Sequence, residues 1–146
     1  MVSGLIRVSH RTIRDEYRPT DDEPFMCNRQ RAYFRGKLLA WRNDILRSTK
    51  ETRQHLLEET AQYPDLADRA STEIERGVEL RARDRQRKLI AKIDAALARL
   101  DDGTYGYCEE TGEPISLMRL DARPVATLSV EAQERHERRE RFYSDD

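Results

Sequence analysis

Between Pro24 and Pro64 no proline interrupts the chain, and over that span one apolar stripe dominates. Phe34, Leu38, Trp41, Ile45, Thr49, Thr52, Leu56 and Tyr63 recur mostly three or four residues apart. An α-helix brings positions so spaced onto one face, here a face narrow enough for a coiled-coil seam. Asn28 suits the N-cap, because its side chain can accept an orphan N–H bond. Pro64 bars the helical conformation to the residue before it, so the helix ends at or before Tyr63.

A second stripe follows the break "YPDLADRASTE". It starts at Ile74 and runs through Val78, Leu89, Ile93, Leu97 and Leu100, interrupted by the cations of "RARDRQRK". Gly103 then stands where a helix C-terminus favours glycine. Two helices of about 30 residues, each ~45 Å long, joined by a short Pro-containing turn, predict an antiparallel hairpin. Composition agrees. Charged residues are 38% of the chain and hydrophobic ones 37%, too little apolar material for a thick core. The expected fold class is mainly α: a long antiparallel coiled-coil hairpin, a small zinc-finger-like globular domain and a C-terminal helix.

The organisation that follows is an N-terminal arm over 1–27, the hairpin over 28–103 with its tip near 64–71, and a small domain with the last helix over 104–146. Residues 1–24 lack periodicity and are expected to be poorly ordered. Residues 104–128 are rich in turns. Tyr105, Tyr107, Ile115, Leu117, Met118, Leu120, Val125 and Leu128 are the candidate core there, packed against Trp41. From Ser129 to Tyr143 a charged helix is expected, with Ser129 as its N-cap.

The 27 basic and 28 acidic residues leave a net charge of −1, which argues against a general nucleic-acid coat. No apolar run approaches the ~20 residues of a membrane span, and Arg7 interrupts any signal-peptide core. The two cysteines, Cys27 and Cys108, require no disulfide framework. A cytoplasmic protein is expected. Asp65 and Asp68 at the turn can cap the second helix or project from a finger ~40 Å long. Arg81, Arg85, Lys88 and Lys92 share one helical stripe. A row of like charges disfavours an isolated helix and invites an acidic partner or phosphates.

Four motifs in order then point to one family: "FRGKLLAWRNDIL", "YPDLADRAS" with "ELRARDRQRKLIAKIDAAL", "GYCEETGEPI", and "RLDARPVATLS". Over roughly residues 26 to 140 the chain resembles the bacterial DksA/TraR family of transcription regulators. The resemblance implies a protein with no catalysis of its own that binds RNA polymerase at the rim and through the secondary channel. With the alarmone ppGpp it would repress rRNA promoters and activate some biosynthetic promoters in the stringent response. It implies that Asp65, Asp68, Arg69 and Ala70 form the tip near the polymerase active site, and that Arg81 and Arg85 contact the polymerase. Leu89, Lys92, Arg119, Arg123 and Gln133 would meet ppGpp. A lysine is implied at Gln133, so weaker ppGpp binding is expected.

The same resemblance assigns zinc-ligand positions to Cys108, Thr111, Ser129 and Ala132. Structural zinc takes four Cys or His donors, so this set is degenerate and no zinc, nor any permanent cofactor, is expected. Glu109 and Glu110 beside Cys108 are expected to raise its pKa, leaving it a small inert side chain. The rival reading is a transcript-cleavage or elongation factor acting through the same channel. A third is a coiled-coil adaptor, although the interrupted seam favours a monomer. Sequence-specific DNA binding is not expected.

Overall fold

The structure, a computed structural model, describes the backbone of residues 17–62 and 66–144; the side chains of residue 56 and of residues 59–70 lie outside the description. Helix α1 spans Asn28–Gln62 and α2 spans Leu66–Asp102, 35 and 37 residues respectively, longer than the spacing of apolar residues suggested. Each reaches roughly 50 Å at 1.5 Å per residue. Among the described residues there are no strands, so the mainly helical class stands.

Cross-links between the helices fix their direction. Arg31 donates to the Leu100 carbonyl at 2.6 Å, Arg35 pairs with Asp101 at 2.6 Å, Arg42 with Asp94 at 2.8 Å, and Thr49 meets Gln86 at 2.7 Å. From Arg35 to Thr49 the partners recede along α2 from Asp101 to Gln86, which is the register of an antiparallel pair. Gly103 follows α2 with φ 85°, a left-handed geometry that costs glycine nothing.

Burial concentrates at the root of the pair. Phe34, Leu38 and Ile45 of α1 meet Ile93, Ala96 and Leu100 of α2 and Tyr105, Ile115, Leu120, Val125 and Ala132 beyond them. Two expected core members are corrected: Met118 is 85% exposed and Tyr107 39%. Farther out, among the described residues, the pair has no third layer. Ile74 and Val78, expected to begin the α2 seam, are exposed, and so are Leu57 and Leu80. Two helices alone cannot cover an apolar side chain from every side.

Beyond Gly103 a short helix, α3 (Leu117–Ala122), was not foreseen. Ser116 caps it, accepting from the Arg119 N–H at 3.2 Å, while Leu117 and Leu120 point inward. The last helix, α4, spans Val130–Ser144 and buries only Ala132 among its described residues. Ser129 caps it through the Ala132 N–H at 3.2 Å.

The expected loose arm is docked over residues 17–27. Gln30, fully buried, accepts from the Met26 N–H at 2.9 Å and donates to the Thr20 carbonyl at 3.1 Å. Phe25 meets Tyr107 edge-on at 5.3 Å. Gly106, at φ 90°, lies beneath: a Cβ there would stand 3.1 Å from Met26 Cε and from Phe25 Cζ.

Asp121 of α3 ties the small domain to α1. Lys37 donates to its carboxylate at 2.6 Å, the Tyr33 hydroxyl at 2.5 Å and Arg18 at 3.2 Å. The Lys37 and Tyr33 bonds hold the Asp121 carboxyl below its ordinary range, against the opposing effect of burial. Burial, reinforced by the bond to Asp121, pushes Tyr33 up to about 12. A carboxyl depressed in the folded state stabilises above its unfolded pKa, about 3.9, and that stabilisation is lost as pH falls through the lower folded value. Asp121→Asn is therefore expected to cost about 1–2 kcal/mol in urea unfolding at neutral pH. The gap to wild type should narrow below about pH 4. A difference that does not change with pH would remove the ionic part of this account.

Candidate functional site

On α2, Lys92, Ala95 and Arg99 lie three and four residues apart, one face round from the core positions Ile93, Ala96 and Leu100. Across from them, Gln133, His136 and Glu140 form a stripe on α4. Arg119 of α3 and the segment Arg123 to Leu128 close the gap. The result is a pocket of about 410 Å³. Arg119 is fixed in it by donating Nε–H to the Leu128 carbonyl at 2.9 Å.

The pocket is strongly cationic. Among the described residues Lys92, Arg99, Arg119 and Arg123 line it, against one carboxylate, Glu140. Arg99 Nη2 is buried and has no hydrogen-bond partner among the described residues. A buried guanidinium nitrogen left unpaired is costly, and guanidinium groups match phosphate oxygens in geometry and charge. The chemistry of the lining therefore suits a compact, multiply charged anion.

Of the expected ppGpp residues, the fold brings Lys92, Arg119, Arg123 and Gln133 together. Leu89 does not line the pocket; it packs, half-buried, against the core. Gln133 Nε2 donates to Glu137 at 3.2 Å. Arg99 and His136 were missed. A signal existed, since Arg99 repeats the Lys92 position two turns on and His136 follows Gln133 by three.

Arg81 and Arg85 are exposed on α2, as are Lys88 and Lys92. Asp84 pairs with Lys88 at 3.1 Å and Arg87 at 3.9 Å. Such exposed pairs contribute little, leaving the face free to meet a partner. At the tip, Asp65 lies outside the described residues. Asp68, Arg69 and Ala70 fall within α2, and their side chains lie outside the description.

The knuckle positions do not fit structural zinc. Cys108 is buried and offers a sulfur, but Ala132 has no donor atom. The Ser129 hydroxyl caps α4, and the Thr111 hydroxyl accepts from the Glu113 N–H at 3.3 Å. Among the described residues no cluster of three or more His, Cys, Asp or Glu side chains is placed to hold a metal ion. The expectation for Cys108 itself is corrected. Burial pushes its thiol up, yet hydrogen bonds from the Thr111 hydroxyl and from the N–H groups of Ser129, Thr111 and Glu110 outweigh burial and bring it down to about 6. The Ser129 N–H lies 3.4 Å from the sulfur. Glu109 and Glu110 are exposed, so their carboxylates face water while the backbone beside them faces the thiol.

Comparison with known proteins follows the same division of the chain. Residues 30–100 match the family described as "DnaK suppressor protein DksA, N-terminal domain", and residues 103–138 match "Prokaryotic dksA/traR C4-type zinc finger". A relative from Caulobacter vibrioides, named RNA polymerase-binding transcription factor DksA, is 66% identical over 91% of this chain and 94% of its own length. The Escherichia coli protein of the same name is 42% identical over 87% of this chain and 84% of its own. Among solved structures, transcription factor DksA2 from Pseudomonas aeruginosa superposes with a TM-score of 0.76 at 41% identity, covering 90% of this chain and 98% of that one. On the strength of both matched regions and of these identities, the chain belongs to the DksA family.

Proposed function

We propose that this protein is a transcription regulator that binds bacterial RNA polymerase and has no catalysis of its own. The observation that carries this reading is the 66% identity, over nearly all of both chains, to a protein named RNA polymerase-binding transcription factor. The paired helices α1 and α2 suit insertion into the polymerase secondary channel, with Asp65 and Asp68 at the leading end. The exposed Arg81 and Arg85 suit contact with the channel rim. In this reading the pocket between α2, α3 and α4 holds ppGpp, whose phosphates need several converging cations. The protein acts as a cytoplasmic monomer. Among the described residues no helix is long and apolar enough to cross a membrane.

In vitro transcription with the cognate polymerase tests the proposal. Initiation from an rRNA promoter should fall when the protein is added and fall further with ppGpp. Stimulated release of short RNA from a stalled elongation complex, without promoter repression, would instead favour a cleavage factor.

The knuckle, in the same reading, is held by its apolar core and helix caps rather than by zinc. Chelation with EDTA should leave the melting temperature within about 2 °C, because a zinc-held fold would lose a term on the order of 10 kcal/mol. Stoichiometric zinc in the purified protein would overturn that reading.

A further inference from the structure

His136 stands on the α4 wall of the cationic pocket, with Nε2 3.2 Å from Glu140 Oε1. Both side chains are substantially exposed, 50% and 69%, so the pair is loosely held and free to change partners. The other charged groups of the pocket are Lys92 and Arg99 on α2, Arg119 on α3 and Arg123 after it, all cations. The neighbouring Glu137 is engaged by Gln133. Among the described residues Glu140 is thus the one carboxylate in the lining and His136 the one histidine, a residue type able to exchange a proton in the physiological range.

We propose that His136 is a binding residue for the pocket's anion and makes its recognition depend on protonation. This deepens the reading above and rests on it: the pocket must take a polyphosphate. A protonated His136 donates to a phosphate oxygen, exchanging Glu140 for the ligand and adding a cation to the lining. Neutral His136 adds none, and Glu140 then repels the incoming anion. Lys92, Arg99, Arg119 and Arg123 line the pocket in either state. His136 thereby supplies, under acidic conditions, a charge on the wall where Gln133 supplies none. The weaker ppGpp binding expected from Gln133 then applies chiefly at alkaline pH.

The test is NMR titration of the full-length protein with inorganic tripolyphosphate, following the His136 imidazole and the pocket amides. Saturating tripolyphosphate should move the His136 titration midpoint upward. The ratio of wild-type to His136→Ala affinity should rise roughly three- to fivefold from pH 8 to pH 6, the size of one added charge contact. Because both proteins meet the same ligand, its own protonation cancels in that ratio. His136→Lys should bind more tightly than wild type at pH 8 and converge with it at pH 6. Pocket amides that shift while the His136 midpoint stays put would overturn the role of His136 and leave the pocket reading intact. Pocket amides that do not shift up to about 10 mM tripolyphosphate, well above a millimolar Kd, would overturn both.

Discussion

Phe34→Ala is expected to lower stability by about 3–5 kcal/mol, because it empties a site that the surrounding structure cannot close. Phe34 is fully buried, with ring centroids 5.6 Å from Tyr105 and 5.2 Å from Tyr33. It sits where α1, α2 and the small domain converge, in one cluster with Leu38, Leu100 and Ile115. In a chain of this length the loss should appear as a fall of roughly 10 °C or more in the melting temperature. Leu57→Ala, at a site 65% exposed, should change stability by no more than about 0.5 kcal/mol. The contrast checks where the core lies. Equal effects of the two substitutions would mean that the finger, not its root, carries the packing. Under the metal-free reading proposed above, the root has no coordinated ion to fall back on, so the Phe34 cost falls on the whole small domain.

Asp68→Asn is expected to abolish most repression of an rRNA promoter while leaving polymerase binding in place. The substitution preserves shape and hydrogen-bonding capacity and removes one charge. At 4 Å a unit charge is worth between about 1 and 4 kcal/mol, according to how much water screens it. Under the channel reading proposed above, such a carboxylate lies toward the upper end, so repression should weaken roughly tenfold or more. Binding, measured by displacement of a labelled wild-type protein, should change little, because Arg81 and Arg85 lie away from the tip along α2. Loss of binding and repression together would make Asp68 a docking residue. Repression unchanged by the substitution would remove the tip carboxylate from the mechanism.

Both helices of the finger were legible in the residues because a helix is a local object. Apolar spacing of three and four, Pro64 after the first helix and Gly103 after the second act through neighbours in the chain. They placed both ends of α1 and the C-terminal end of α2 close to those observed, whereas α2 begins at Leu66, ahead of the stripe that starts at Ile74. The resemblance carried the family, because four separated motifs occur in order. It also put Lys92, Arg119, Arg123 and Gln133 in one expected site, and these four line one pocket.

The misreadings share a cause. Met118 and Tyr107 are as apolar as their buried neighbours, but α3 and the turn before it direct them toward water, and α3 was not visible in a stretch full of turn residues. Ile74 and Val78 continue the apolar stripe, yet among the described residues the finger there is only two helices thick. Cys108 has two carboxylates beside it in sequence, while the fold turns its neighbours' N–H groups toward the sulfur. Arg99 and His136 are far apart along the chain and come to line one pocket only through the fold. Periodicity and punctuation are properties of consecutive residues, so the chain could state its helices and their breaks unaided. Burial, the environment of a thiol and the sum of charges in a pocket depend on groups brought close from distant segments, and three-dimensional packing alone brings them there.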